Sequence, residues 1–234
     1  MDRRTFARTI AAVMAGLGIP VGRRDVSATS PPERGVLPPT TLPTRRLGRT
    51  GLDVPILALG GHHVGRAESE SAARVLVETA LEEGVRFFDN AESYQNGKAE
   101  RWLGAALEGV RSDVMIMTKT HSPRDRSADS ARRHLEGSLE RLRTDYLDVW
   151  QLHSTKSVED VDRAFRPGGA MEYIMRARDE GLVRFVGVTG HVTPAAHRRA
   201  LEYWDDGWQF DTFQFPINPS DYHQRSFQRQ VLVD

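Results

Sequence analysis

Cysteine is absent from this sequence of 234 residues. Its absence excludes disulfides, thiolate metal sites and cysteine-ligated iron–sulfur clusters. An excess of one charge is also lacking, because 32 Lys and Arg side chains balance 32 Asp and Glu side chains. A chain without net charge gives no indication that it binds nucleic acid or an anionic membrane surface.

A long hydrophobic run is missing as well. The apolar run at residues 10–21 is short, whereas a transmembrane helix needs about 20 apolar residues. It follows Arg3 and Arg4, and this beginning resembles a bacterial twin-arginine signal, with small residues up to Ala28 that suit cleavage. We therefore predict a signal peptide over residues 1–28, export by the Tat machinery to the periplasm or beyond, and no membrane span after cleavage. An unstructured N-terminus is the alternative.

Five prolines lie between residues 29 and 43, and they favour an extended linker. The remaining residues, 44–234, are numerous enough for one sizeable hydrophobic core. Hydrophobic residues make up 39% of the chain and charged residues 27%, as in an ordinary soluble domain. We therefore predict a single folded domain after the linker.

Apolar strands alternate with amphipathic helices along this domain, after a hairpin predicted at residues 44–52. The predicted strands span residues 54–59, 87–88, 114–118, 146–152, 183–188 and 210–215. The predicted helices span residues 69–83, 98–107, 129–143, 158–165, 171–179 and 194–204. Strands linked by helices indicate a parallel α/β sheet, either open or closed into a barrel. The lack of a Gly-x-Gly-x-x-Gly turn after the first strand favours the barrel.

Polar side chains follow three of these strands at the point where each strand ends. Asp89 ends the second strand and Tyr94 lies in the loop after it, while Lys119 and His153 follow the next two strands. In parallel α/β proteins, catalytic groups gather at the carboxyl ends of the strands. Taken singly, each residue has a structural explanation: a loop cap, a packing residue, a solvated lysine or a hydrogen-bonded histidine.

The order Asp, Tyr, Lys and His, together with the motif FDNAESYQNGKAERWLG at residues 88–104, resembles the aldo-keto reductase superfamily. The resemblance covers residues 44 to about 222. It implies a (β/α)8 barrel of the TIM type, which needs eight strands. Only about six βα units are recognisable, so we expect an incomplete, truncated barrel with an open edge that allows self-association.

The resemblance also implies a reaction, the NAD(P)H-dependent reduction of an aldehyde or ketone to an alcohol, and NADP(H) as the cofactor. Tyr94 would be the general acid, and Lys119 would lower the pKa of its phenol. Asp89 would hold Lys119 by an ion pair, and His153 would orient the carbonyl oxygen of the substrate.

Three further positions correspond to residues that bind the nicotinamide carboxamide in this family. Thr189 and Gly190 stand where the family has a Ser-Asn pair, so the asparagine contact is lost here. Gln214 matches the family glutamine that completes the amide contact. We expect these three residues at the nicotinamide end of the cofactor site.

Two other classes of function remain open. Five histidines fall at predicted strand ends, which suggests a metal-dependent barrel hydrolase; they are His62, His63, His121, His153 and His191. Adjacent histidines on an extended chain point apart, so we predict no metal. A barrel that binds a cofactor or partner without turnover is the other alternative, and turnover itself discriminates between them.

Overall fold

A computed structural model describes residues 37–120, 124–224 and 226–232 of the chain. The predicted signal peptide, most of the predicted linker and His121 lie outside these residues, so the predictions about them stay predictions. Within the described ranges, none of the helices combines the length and the apolar character that crossing a bilayer requires.

A small antiparallel hairpin precedes the main sheet. It consists of β1 (Thr44–Arg46) and β2 (Asp53–Pro55). Gly48 and Gly51 lie in the connection with φ angles of 50° and 80°, in the left-handed region that glycine enters at little cost. The hairpin predicted from these glycines is therefore present.

The main sheet is parallel and has six described strands, whose spatial order follows their order in the sequence. They are β3 (Leu59–Gly60), β4 (Phe87–Asp89), β5 (Met115–Lys119), β6 (Leu147–Leu152), β7 (Val183–Thr189) and β8 (Thr212–Gln214). The sheet curls into part of a barrel, which confirms the predicted α/β fold and the incomplete (β/α)8 architecture. The strands β3 and β8 form the two edges of the described sheet. Self-association at these edges stays a prediction.

The helices begin where the sequence supplies caps. Ser69, Ser127, Ser157 and Thr193 each accept a hydrogen bond from a backbone N–H in the first turn. The described helices are α1 (Gly61–Val64), α2 (Glu70–Glu82), α3 (Lys98–Ala106), α4 (Ala128–Leu142), α5 (Val158–Phe165), α6 (Ala170–Asp179), α7 (Pro194–Asp205), α8 (Pro219–Gln224) and α9 (Phe227–Gln230).

The prediction of one strand over residues 54–59 is wrong at its start. Val54 pairs with Arg45 in the hairpin, and only Leu59 and Gly60 join the parallel sheet. The apolar run is continuous in the sequence, but its two halves pair with different partners. The short helices α1, α8 and α9 were also not predicted, because a helix of one or two turns is too short for a periodic pattern.

The two faces of the main sheet differ in polarity. Phe88, Ile116 and Trp150 point toward the helices and are fully buried in the hydrophobic core. Since successive side chains of a strand alternate between faces, Asp89 and Lys119 point to the concave side. The apolar layer thus lies between sheet and helices, and the polar residues collect inside the curl.

A buried ion cluster ties the helix face of the sheet together, away from the polar strand ends. The carboxylate of Asp148, on β6, is 1% exposed and accepts hydrogen bonds from the Arg111 guanidinium at 2.9 Å and the Arg184 guanidinium at 3.0 Å. It also accepts the Ile116 backbone N–H at 2.9 Å. One side chain thus links β5, β6, β7 and the turn that holds Arg111.

Replacing Asp148 by alanine tests how much this cluster contributes to the stability of the fold. We expect Asp148→Ala to lower the free energy of unfolding by about 3 kcal/mol, because it leaves the buried Ile116 N–H without its acceptor and the Arg111 guanidinium without its counter-charge. Urea unfolding followed by far-UV circular dichroism measures the change. The matched control is Asp179→Ala, whose side chain is 75% exposed and which should change stability by less than about 0.5 kcal/mol. Equal effects of the two variants would contradict the assignment.

Candidate active site

The carboxyl ends of neighbouring strands bring Asp89 and Lys119 together. Asp89 is the last residue of β4 and Lys119 the last residue of β5. The Lys119 ammonium donates a hydrogen bond to the Asp89 carboxylate and another, 2.6 Å long, to the backbone oxygen of Asn90. Lys119 is 3% exposed, so this ion pair is desolvated on the lysine side.

Tyr94 lies over this pair, and His153 approaches it from the end of β6. The Lys119 Nζ is 5.5 Å from the centroid of the Tyr94 ring. The centroids of the Tyr94 and His153 rings are 6.2 Å apart, and the rings are nearly perpendicular. The structure therefore brings all four predicted catalytic residues into one cluster, although their roles stay predictions.

The protonation of the cluster follows from burial and charge. Burial lowers the pKa of the Lys119 ammonium, and the carboxylates of Asp89 and Glu100 oppose this effect. For Tyr94, burial raises the pKa above the ordinary value of 10, and the Asp89 carboxylate raises it further. The net direction for Tyr94 is thus upward, because burial and the Asp89 charge set it, and the lowering effect of Lys119 stays a prediction.

His62, in α1, is a member of this cluster that the sequence analysis considered only as a metal ligand. The centroid of its ring is 5.2 Å from that of Tyr94, in an edge-on arrangement, and its Nδ1 is 3.4 Å from the Gln95 amide nitrogen. The signal for it was its position directly after β3.

The described part of the chain contains no group of three or more potential metal ligands.

Gln214 connects the predicted cofactor residues to the cluster. Its amide nitrogen donates a hydrogen bond of 2.8 Å to Asp89 Oδ2, while its amide oxygen is buried without a hydrogen-bond partner among the described residues. Buried polar atoms of native proteins are rarely left unpaired. An N–H group of a ligand's carboxamide would satisfy this oxygen.

At the other two predicted cofactor residues, Thr189 and Gly190, the backbone already makes hydrogen bonds within the protein. The Thr189 backbone oxygen accepts a hydrogen bond from the Thr155 N–H at 2.9 Å, and the Gly190 N–H donates to the Gln214 backbone oxygen at 3.2 Å. A Cβ atom at Gly190 would lie 2.6 Å from the Thr155 backbone oxygen. The position therefore has no room for an asparagine unless Thr155 moves, which gives a physical reason for the glycine.

Two curated proteins illustrate what this chain is similar to. An uncharacterized oxidoreductase of Bacillus subtilis (strain 168) is 26% identical over 154 residues, which are 62% of this chain and 48% of the relative. L-galactose dehydrogenase of Arabidopsis thaliana is 31% identical over 162 residues, which are 64% of this chain and 49% of the relative. The chain thus spans about half the length of these relatives.

A solved structure and a family profile agree with them. The crystal structure of an aldo-keto reductase from Klebsiella pneumoniae in complex with NADPH has a TM-score of 0.55 and 25% identity, over 71% of this chain and 54% of that chain. A profile described as "Aldo/keto reductase family" matches residues 56–229. These residues include every residue of the cluster and most of the domain, so the chain belongs to the aldo/keto reductase family.

Proposed function

We propose that the protein is an oxidoreductase that reduces an aldehyde or ketone to an alcohol with NADPH. The observation that carries the proposal is the ion pair between Asp89 and the buried Lys119 beneath the ring of Tyr94, with the His153 ring next to that of Tyr94. A carbonyl reduction needs a proton donor beside an oxygen that becomes negative, together with a cation that stabilises the charge. Tyr94 and Lys119 are suited to these two tasks.

NADPH is proposed because the residues present suit its nicotinamide end and because the Klebsiella pneumoniae relative is an NADPH complex. When bound, it supplies a hydride to the carbonyl carbon of the substrate. The unpaired amide oxygen of Gln214 would accept a hydrogen bond from the nicotinamide carboxamide. Thr189, at the end of the neighbouring strand, is the second residue that we place there.

The protein residues supply and stabilise the proton. The Tyr94 phenol, whose ordinary pKa of 10 is raised further by burial, is protonated at neutral pH and donates its proton to the carbonyl oxygen. The Lys119 ammonium stabilises the phenolate that remains, and Asp89 holds that ammonium in place. His153 donates a hydrogen bond to the carbonyl oxygen and orients it. The products are the alcohol and NADP⁺.

A fluorescence titration with NADPH, followed by turnover of simple aldehydes and ketones, tests this proposal on the full chain. Saturable binding together with turnover supports a reductase. Saturable binding without turnover would instead indicate a cofactor-binding module, and a folded protein that binds no NADPH would refute both. A cooperative thermal melt shows that the sample is folded in each case.

Tyr94→Phe isolates the proposed proton donor. We expect turnover to fall by about 10²- to 10⁴-fold, because the phenol is the general acid, while the Kd for NADPH changes by less than about twofold, because the ring remains. The matched control is Tyr173→Phe, which removes a phenol from a ring packed against Trp150 in the core and should leave turnover unchanged. Full activity of Tyr94→Phe would remove Tyr94 from its role.

The raised pKa of Tyr94 predicts a second measurement. Tyrosinate absorbance at 295 nm is followed against pH for the cofactor-free protein and for Tyr94→Phe, and the difference reports Tyr94. A phenol whose pKa is raised loses its proton at higher pH than a free one, so we expect the difference to develop above pH 10. A midpoint below 10 would mean that Lys119 outweighs burial and Asp89.

A further inference from the structure

We propose that Arg141, paired with the buried Glu100, is a positioning residue that holds the Tyr94 segment (residues 92–100) against β5, the strand that ends in Lys119. Arg141 lies in α4, on the helix side of the sheet, and does not belong to the catalytic cluster. The structural part of this inference stands by itself, whereas its effect on catalysis rests on the proposed function.

The carboxylate of Glu100 is completely buried, with 0% exposure. One of its oxygens accepts a hydrogen bond of 2.6 Å from the Thr118 hydroxyl, and the other accepts one of 2.7 Å from Arg141 Nε. Thr118 directly precedes Lys119, and neighbouring residues of a strand point to opposite faces. Glu100 therefore fastens α3 to β5 from the face opposite to the Lys119 side chain.

The Arg141 side chain also extends along the Tyr94 segment and contacts it at two places. Its Nη2 lies 3.5 Å from a carboxylate oxygen of Glu92. A Cβ atom at Gly97 would lie 2.7 Å from Arg141 Cδ, so the arginine stem passes close to the backbone there. Glu92 precedes Tyr94 by two residues and Gly97 follows it by three, so Arg141 contacts the chain on both sides of the tyrosine.

The contacts with Arg141 maintain an unusual backbone conformation next to Tyr94. Gln95, Asn96 and Gly97 have φ angles of 48°, 55° and 78°, so three successive residues are left-handed. For residues other than glycine this region costs about 1–2 kcal/mol each, and strained backbone persists only where its surroundings hold it. Arg141 provides contacts on one side of the turn, and the Gln95–His62 contact lies on the other.

Arg141 also compensates the negative charge of Glu100. Glu100 is a buried charge, and removal of one partner of such a pair leaves the other uncompensated. Glu100 already acts on Lys119, since its carboxylate raises the pKa of the ammonium. Without Arg141, the Glu100 carboxylate would keep the Thr118 hydroxyl as its hydrogen-bond donor but would lose its charged partner. The attachment of α3 and of the Tyr94 segment to β5 would then be weakened.

The test compares Arg141→Met with Arg111→Met in the full chain. Both arginines form an ion pair with a buried carboxylate, and their side chains are 20% and 16% exposed. Arg111 pairs with Asp148 and makes no contact with the Tyr94 segment in the described structure. A stability loss common to both variants is therefore separated from an effect on Tyr94.

Amide hydrogen exchange and steady-state kinetics are measured under conditions in which both variants are folded. Amide hydrogen exchange in peptides covering residues 92–99 should be at least about tenfold faster in Arg141→Met than in Arg111→Met, because local opening sets the exchange rate. The kcat should fall by about tenfold or more in Arg141→Met with a smaller change in KM, since a misplaced acid affects the chemical step. Arg141→Lys should recover part of both, because it restores charge without the planar fork.

Equal exchange at residues 92–99 in the two methionine variants would overturn the inference and leave Arg141 a purely structural residue. If Arg141→Met does not fold, Arg141→Gln and Arg111→Gln replace the two methionine variants, and equal exchange at residues 92–99 in these two variants overturns the inference. A wild-type protein that reduces no carbonyl would refute the proposed function, whereas the exchange comparison would still test the positioning role. Faster exchange with unchanged kcat would overturn the catalytic half of the inference.

Discussion

The structure depends most on the buried ion pair between Asp89 and Lys119. It joins β4 to β5, and Gln214 brings β8 to the second oxygen of the same carboxylate at 2.8 Å. Four strand spacings separate β4 from β8, about 19 Å in a flat sheet. The Asp89 carboxylate can contact both Lys119 on β5 and Gln214 on β8 only because the sheet curls, so the curvature brings the residues of the candidate site together. The hydrogen bonds also offset the cost of burying the lysine.

The strand that carries Lys119 is held from both faces by one stretch of chain. Asp89 binds Lys119 on the concave face, and Glu100 binds Thr118 on the helix face. The turn that carries Tyr94 spans the distance between these two fixed points. The position of Tyr94 is therefore set by contacts before and after it, and two polar residues on either side of it, Asn90 and Glu100, are fully buried.

Local signals predicted the elements, and their order predicted which strand ends meet. Ser69 and Thr193 cap two of the helices whose ranges the sequence predicted, and Asp89, Tyr94, Lys119 and His153 converge because they follow neighbouring parallel strands. Contacts such as Gln214 to Asp89, 125 residues apart, leave no local signal in the sequence. The same holds for the direction of the Tyr94 pKa, which depends on burial and on distances between side chains. The wrong start of the first barrel strand has a similar origin, since residues 54–59 choose their partners only in the folded chain.

The balance of charges around Tyr94 bears on the direction of the proposed reaction. Carbonyl reduction requires a protonated phenol, whereas alcohol oxidation requires a phenolate that accepts a proton. Lys119 alone would favour the phenolate, but Asp89 compensates its charge and burial penalises the anion, so the pKa of Tyr94 is raised. At neutral pH the resting site therefore holds an acid rather than a base. Burial and the charge of Asp89 thus favour the protonated phenol, which is the form that the proposed reduction requires.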